Sequence, residues 1–195
     1  MASTRPLLDK VYFVYFLIHI PILFCVDLVP LYPASLWAGP SAPLGVLSDL
    51  RSYYFRTYND RFFAPPSSAS PPPPSFFVLF SWLELLFHLP VSAWAVRALS
   101  PLSSSSSAPG GAAELLLLVY GVETALTTAT CMWEAYLWDP AVVTAGQKAM
   151  LLGPLYGSYL ALAVLLTVDM YTRLLKRVGD GDNAGKTAAA AKKTQ

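Results

Sequence analysis

The stretch FLIHIPILFCVDLVPLYP, residues 16–33, is apolar almost throughout, yet an aspartate stands at position 27. The apolar residues begin at Val11, so the segment from there to Leu31 is long enough to cross the roughly 30 Å hydrocarbon layer of a bilayer as a helix. A carboxylate that faces lipid costs at least about 2.5–3.5 kcal/mol, so acids within such helices nearly always face a bundle interior or a cavity. Asp27 therefore predicts a polar feature inside a membrane protein.

The composition of the whole chain indicates the same class. Of its 195 residues, 55% are hydrophobic and 13% are charged, whereas a soluble domain carries about 25% charged residues. Four segments have the length of a membrane span, at about residues 11–31, 76–99, 114–138 and 150–174. We therefore expect an all-α membrane protein, with one four-helix transmembrane domain over residues 11–174 after a short segment of residues 1–10. The net charge of +1 gives no sign of nucleic-acid binding.

The segments between and after the spans differ in composition. The first connection contains LSDLRSYYFRTYNDRFF, residues 47–63, which is predicted to fold back as a short interfacial helix. A proline-rich insert follows at about residues 64–75 and favours an extended polyproline conformation. The second connection is a serine-rich, flexible loop at about residues 100–113. The tail, residues 175–195, is rich in Gly, Ala and Lys and is predicted to be disordered.

The basic residues favour a topology with both termini in the cytosol. Short cytosolic flanks are enriched in Lys and Arg, and in this orientation the cytosolic set is Arg5, Lys10, Arg97, Arg173, Lys176 and Arg177. Three arginines in the first connection, Arg51, Arg56 and Arg61, argue against it. The chain ends in KKTQ, with Lys192 and Lys193 at the positions of a dilysine signal, a receptor-read address for return to the endoplasmic reticulum. An ordinary lysine-rich end is the alternative.

With this topology, polar residues of all four spans fall in one layer near the lumen. Asp27 lies about 4 residues from the luminal end of its helix and Glu84 about 8 residues from that of the second, which corresponds to depths of roughly 6 and 12 Å. Thr127 on the third span and Tyr156 and Tyr159 on the fourth fall in the same layer. These residues predict a pocket. The alternative is a buried pair of acids that share a proton and bind no ligand.

Two prolines, Pro21 and Pro90, lie within the first and second spans, each six residues from the acid of its helix. Proline removes a backbone hydrogen bond and kinks a helix. Because the two helices run in opposite directions, both kinks are predicted near mid-bilayer, where they would open space between the helices. Prolines are also common in membrane helices without such a role.

Four segments together resemble the EXPERA-domain family, and within it the sigma-2 receptor branch. They are FLIHIPILFCVDL (16–28), WLELLFHLP (82–90), VYGVETALTT (119–128) and LYGSYLALAVLL (155–166). The resemblance covers all four spans and leaves out the proline-rich insert, the serine-rich loop and the tail. It implies a four-helix protein of the endoplasmic-reticulum membrane, often a homodimer, with a pocket for sterols and lipophilic amines that opens toward the bilayer.

The resemblance also implies roles for individual residues. The residues implied to bind or surround the ligand are Asp27, Glu84, Thr127, Tyr156, Tyr159, Tyr53, Tyr54 and Asp60. Among them, Asp27 would pair with a ligand amine, and Glu84 would be its hydrogen-bonded partner. The sequence departs from the branch at Glu123, where a histidine is expected, and at Ser158, where a proline is expected.

The expected function is the non-enzymatic binding of a sterol or a cationic amphiphile, in lipid homeostasis or in membrane-protein trafficking. One alternative is a sterol double-bond isomerase like the related emopamil-binding protein, with the buried carboxylates as acid and base. That enzyme's pattern has a histidine one turn before the first-helix carboxylate, where this chain has Leu23. A chaperone or trafficking partner for a client membrane protein, without a ligand, is the other alternative.

The remaining polar and sulfur-containing residues of the spans are expected to be structural. His19 and His88 are interpreted as packing residues, although His88 lies one turn from Glu84 and could substitute for the isomerase histidine. Cys25 and Cys131 both fall within spans and are expected to pack rather than to form a disulfide. No catalytic residue, cofactor or metal site is predicted, because the acids lack paired histidines or thiols nearby.

Overall fold

The computed structural model describes residues 7–38, 41–64, 72–100 and 110–193, the last twelve of these by their backbone alone. Within these ranges the chain is helical and contains no strand. Four helical segments are long and apolar enough to cross a membrane, namely Leu7–Asp27, Ser75–Leu99, Gly111–Leu137 and Ala145–Gly181. The prediction of an all-α, multi-pass membrane protein is confirmed.

The described residues form eight α-helices, and three of these are followed by a π-helical turn. The helices are α1 (Leu7–Ile22), α2 (Ala34–Trp37), α3 (Gly45–Tyr58), α4 (Ser75–Leu83), α5 (Leu89–Leu99), α6 (Gly111–Leu137), α7 (Ala145–Met150) and α8 (Tyr156–Lys193). The π-helical turns are Leu23–Asp27 after α1, Glu84–His88 between α4 and α5, and Leu151–Leu155 between α7 and α8. Each apolar span except that of α6 therefore contains one such turn.

The first span begins and ends four residues earlier than expected, at Leu7–Asp27 instead of about residues 11–31. Its first turn contains the charged residue Asp9, whose buried carboxylate lies 2.8 Å from the guanidinium of Arg173 on α8. This ion pair allows a charge within the bundle. At the other end, Pro30 lies at the start of a 3-10 helix, Val29–Leu31, and proline cannot continue the α-helical hydrogen bonding.

The tail also differs from the expectation. Helix α8 continues to Lys193, through most of the segment 175–195 that was predicted to be disordered. Extension of an existing helix needs no new nucleation, and the four consecutive alanines at 188–191 have the highest helix propensity. An ion pair from Arg177 to Glu114, with an N–O distance of 2.5 Å, also ties the start of this extension to α6.

Helix α3 forms within the first connection, where a short helix was predicted. It ends before Asn59, whose φ of 53° is in the left-handed region that stops a helix. Asp60 then accepts a hydrogen bond from the backbone N–H of Phe62 at 3.1 Å and starts the 3-10 helix Arg61–Phe63. This turn buries Asp60, Phe62 and Phe63. Most of the proline-rich insert and of the serine-rich loop lies outside the described residues.

Two apolar clusters lie at different levels of the bundle. The first joins α1, α5, α6 and α8 and contains Tyr12, Phe16, Val91, Ala95, Leu99, Leu117, Tyr120, Leu166 and Met170. The second contains Phe62, Phe63 and Cys131, with Phe77 and Tyr156 among the partly buried residues packed on it. The cavity described below adjoins the second of these clusters.

Helices α6 and α8 approach each other closely at Gly121. A Cβ atom at this position would lie 2.6 Å from Thr167 Oγ1 and 3.2 Å from the carbonyl oxygen of Ala163. Small residues at such contacts let membrane helices pack closely. Helices α6 and α8 are thus closely packed, and the polar residues of α1 and α4 lie against this pair.

Candidate functional site

A cavity of about 370 Å³ adjoins the second apolar cluster, whose residues Phe63 and Cys131 form part of its wall. Its wall is mainly apolar and aromatic, with Ile22, Val26, Phe63, Phe77 and Phe80 among the contributing residues. The described lining residues include three carboxyl groups but no lysine or arginine. Such a site suits an apolar molecule, and its charges favour a cationic group over an anionic one.

Asp27 and Glu84 both line this cavity, as the sequence predicted for a pocket. Asp27 is the last residue of the π-helical turn after α1, and Glu84 is the first residue of the turn after α4. The wider turn at Asp27 is closed by a hydrogen bond from Leu28 N–H to Leu23 C=O at 2.9 Å. Turns of this kind are rare in helices and occur frequently at functional sites.

The hydrogen bond expected between Asp27 and Glu84 is not present. Among the described residues, neither carboxyl group has a side-chain hydrogen bond or an ion pair, and both face the cavity. The depths estimated from the sequence already differ by roughly 6 Å, which is about twice the length of a hydrogen bond. The cavity therefore presents two separate carboxyl groups.

Asp60, which was expected near the ligand, is not among the residues that line the cavity. Its carboxylate is completely buried and accepts hydrogen bonds from Tyr156 Oη at 2.6 Å and Tyr54 Oη at 3.2 Å, besides that from Phe62 N–H. Both tyrosines do line the cavity. Because its oxygens are already bonded, Asp60 positions these two tyrosines and leaves little capacity for a ligand.

Burial raises the pKa of Asp60 to about 6, while the hydrogen bonds and the nearby Arg51 charge lower it. The pKa of Tyr54 is raised by its own burial and then by the charge of Asp60. Tyr54 therefore keeps its proton and acts as a hydrogen-bond donor to Asp60.

Tyr53, which was also expected near the ligand, is not among the residues that line the cavity. Its side chain is 62% exposed and does not contribute to the cavity wall. Successive residues of an α-helix are separated by about 100°, so Tyr53 and Tyr54 point in different directions. Only Tyr54 can face the cavity.

Thr127, Tyr156 and Tyr159 line the cavity in agreement with the predicted layer. The hydroxyl of Thr127 donates to the carbonyl oxygen of Glu123 at 3.0 Å and is thus partly satisfied within its own helix. Tyr159 is hydrogen-bonded to Nδ1 of His19 on α1. The tyrosine thereby ties α8 to α1 at the wall of the cavity.

Two histidines and a glutamate of the cavity wall, His19, His88 and Glu123, were among the lining residues that were not predicted as part of the site. His88 Nε2 is hydrogen-bonded to Glu123 Oε2, which joins the second span to α6. The spacing contained a signal, because His88 lies four residues after Glu84 and Glu123 four residues before Thr127, each on the same helix face. The glutamate at position 123, where the resemblance leads one to expect a histidine, is thus hydrogen-bonded to His88.

The prolines lie beside the π-helical turns. Pro21 precedes the turn Leu23–Asp27, and Pro90 follows the turn Glu84–His88. The third turn, Leu151–Leu155, contains Pro154. The α-helical ladder is thus interrupted next to both prolines singled out in the sequence, and the kinks themselves stay a prediction.

Cys25 and Cys131 are free. The side chains of Lys192 and Lys193 lie outside the described part of the chain.

The fold and site define a class of multi-pass helical membrane proteins with an acid-containing cavity between the helices. The profile of the EXPERA (EXPanded EBP superfamily) family matches residues 46–170. The chain is also 31% identical over 176 residues to the Efficient mitochondria targeting-associated protein 19 of Schizosaccharomyces pombe, an alignment that covers 90% of this chain and 81% of that protein. The chain belongs to the EXPERA superfamily, which confirms the family resemblance.

Proposed function

We propose that this protein binds sterols and lipophilic amines in the cavity between its membrane helices. The observation that carries the proposal is the carboxyl group of Asp27, which lines an apolar cavity without a hydrogen-bond or ion-pair partner among the described residues. A carboxylate without a direct partner in apolar surroundings is costly, and a ligand ammonium would provide the missing ion-pair contact. Glu84, Thr127, Tyr54, Tyr156 and Tyr159 complete the binding site.

The proposed place of action is the endoplasmic-reticulum membrane. Both termini would face the cytosol, Lys192 and Lys193 would form the retrieval signal, and the protein would be a homodimer. The KKTQ end supports the compartment, and membership of the EXPERA superfamily supports a sterol-related membrane function. The process would be sterol and lipid homeostasis or the trafficking of a client membrane protein.

A second candidate function, sterol double-bond isomerisation, is favoured by the pair of His88 and Glu123. An imidazole and a carboxylate in hydrogen-bond contact can exchange a proton, and Asp27 and Glu84 line the same cavity. Moving a ring double bond needs a proton donor on one side and an acceptor on the other. These groups therefore contain the elements of acid–base chemistry beside an apolar substrate site.

A third candidate is a role in trafficking without a small ligand. The name of the S. pombe relative associates that protein with efficient targeting to mitochondria. If this protein acts in a similar way, its function would depend on a client protein, and loss of the Asp27 charge would leave that function intact.

The proposal is tested by ligand binding in lipid nanodiscs. A long-chain tertiary amine, N,N-dimethylhexadecylamine, and the neutral sterol cholesterol would be measured on the wild type and on Asp27→Asn. This substitution keeps the shape but removes the charge, so we expect amine affinity to fall at least about tenfold, or about 1.4 kcal/mol, with a smaller change for cholesterol. Equal amine affinity of both proteins would refute the proposed site.

Complementation of a sterol-isomerase-deficient yeast strain separates the first two candidates. Growth that depends on both His88 and Glu123 would establish the isomerase. Absence of growth, with the protein present in the membrane and amine binding intact, would support a binding protein.

A further inference from the structure

Arg51 contacts two residues of the cavity wall, Val26 and Phe63. Its guanidinium projects from α3 and donates a hydrogen bond from Nη1 to the backbone oxygen of Val26 at 2.5 Å. Val26 directly precedes Asp27 in the same π-helical turn. The guanidinium also lies 5.0 Å from the ring centre of Phe63, a residue of the cavity wall. Two contacts of α3 with the site thus converge on one cation.

Two carboxyl groups are close enough to act on this cation. Burial lowers the pKa of Arg51, and the charges of Asp27 and Asp60 oppose that effect. Neither acid forms an ion pair with Arg51 among the described residues. Asp60 already accepts three hydrogen bonds, whereas Asp27 accepts none from another side chain. Asp27 is therefore the acid whose charge Arg51 offsets from a distance.

We propose that Arg51 sets the preference of the cavity between cationic and neutral ligands, by acting as a built-in countercharge beside Asp27. The inference rests on the proposed binding of amines at Asp27. It assigns to α3 a role in selectivity, in addition to the contribution of Tyr54 to the cavity wall.

The permanent charge of arginine would produce this preference. A guanidinium stays protonated in proteins, so Arg51 repels a ligand ammonium that approaches Asp27, and the repulsion is stronger near an apolar cavity than in water. A neutral ligand does not feel this repulsion. While Asp27 is ionised, Arg51 therefore lowers the affinity for amines and leaves that for neutral sterols nearly unchanged. A residue that only fastened α3 to α1 would support both ligands equally.

The test compares Arg51→Gln with a matched control, Arg56→Gln. Both substitutions remove one positive charge from α3, but Arg56 is exposed and does not line the cavity. Gln retains an N–H donor for the Val26 oxygen. Binding of N,N-dimethylhexadecylamine, its uncharged analogue methyl hexadecyl ether and cholesterol would be measured in nanodiscs. We expect Arg51→Gln to raise amine affinity about fivefold or more, without change for the two neutral ligands, and Arg56→Gln to match the wild type.

A second variant keeps the test decisive if Arg51→Gln does not fold. Ser48→Glu leaves Arg51 in place and adds a carboxylate one helical turn away, at a spacing where side chains interact. It should also raise amine affinity, by less than Arg51→Gln. Unchanged or lower amine affinity in the folded variants would overturn the inference.

Different variants test the proposed function and the role of Arg51. If the wild type binds the amine and Asp27→Asn loses it, the proposed function stands, and the behaviour of Arg51→Gln and Ser48→Glu decides the inference alone. If Asp27→Asn binds the amine as tightly as the wild type, the proposed function is refuted and the inference with it.

Discussion

At the scale of single residues, the acids of the cavity region differ in their surroundings. Asp60 is enclosed by three donors, Glu123 is hydrogen-bonded to His88, and Asp27 and Glu84 have no side-chain partner among the described residues. Two carboxylates in one apolar space repel each other, so we expect the pair of Asp27 and Glu84 to carry about one negative charge in total. Asp60 and Glu123 are thus held in hydrogen bonds that position their neighbours, whereas Asp27 and Glu84 face the ligand space.

Glu84→Gln tests that division. The amide keeps the size of the side chain, and Asp27 remains to hold the single charge, so amine affinity should fall less than about threefold, or roughly 0.7 kcal/mol. Asp27→Asn is the comparison, with its expected loss of at least about tenfold. Binding of the same amine to both variants decides the point, and a larger loss in Glu84→Gln would make Glu84 the principal anion.

Asp60 gives the folded protein a pH dependence of known sign. Because its pKa is raised to about 6, above the value of about 3.9 in an unfolded chain, the folded state takes up this proton first. The group therefore contributes more to stability as the pH falls from about 6 to about 4. Asp60→Asn cannot titrate at this position. The wild type should gain Tm relative to Asp60→Asn as the pH is lowered from 7 to 4.5, and parallel Tm curves would contradict the raised pKa.

Among the secondary-structure elements, helices α6 and α8 approach each other closely because a small residue, Gly121, lies between them. A Cβ at Gly121 would lie 2.6 Å from Thr167 Oγ1 and 3.1 Å from the Thr167 backbone nitrogen. Contacts this short require α6 and α8 to move apart, because backbone atoms cannot rotate away. Gly121→Ala should therefore cost about 1–3 kcal/mol, the usual range for overpacking.

Thermal unfolding in detergent measures this effect. Gly146→Ala, in α7, is the matched control, since a Cβ there has nothing within 4 Å and alanine favours a helix over glycine. Adding Thr167→Ala to Gly121→Ala removes the nearest atom and should restore part of the lost stability. Equal Tm values for Gly121→Ala and the wild type would show that the contact between α6 and α8 accommodates the added methyl group without loss of stability.

The sequence predicted the spans and the depth of the polar residues, but not the rotation of each helix about its axis. Runs of about 20 apolar residues identified all four spans, and depth along the chain placed Asp27, Glu84, Thr127, Tyr156 and Tyr159 in one layer. Depth does not determine the rotation of a helix, so the pairing of His88 with Glu123 and the outward direction of Tyr53 were missed. Both depend on contacts between distant segments.

At the scale of the whole molecule, the ends of the bundle opposite α3 are held together by charges. Arg173 contacts Asp9 at 2.8 Å and Asp169 at 2.7 Å, and Arg177 contacts Glu114 at 2.5 Å. Asp9 and Glu114 are buried. These contacts join α1, α6 and α8 at one end, while the acid-containing cavity lies toward the other. The molecule is therefore polarised along the bundle axis, as expected for a protein with a fixed orientation in the membrane.

That orientation and the compartment are tested together on the intact chain. The basic residues predict cytosolic termini, and KKTQ then exposes Lys192 and Lys193 to the cytosolic retrieval receptor. Replacing both lysines by serine should shift the protein from the endoplasmic reticulum to later compartments, as seen by microscopy. The matched control is the double substitution of Lys176 and Lys186, which removes the same charge upstream of the signal and should leave the distribution unchanged. A glycosylation acceptor appended to the C-terminus should stay unmodified, whereas one placed in the first connection should be glycosylated; the reverse pattern would invert the topology and remove the basis for the dilysine signal.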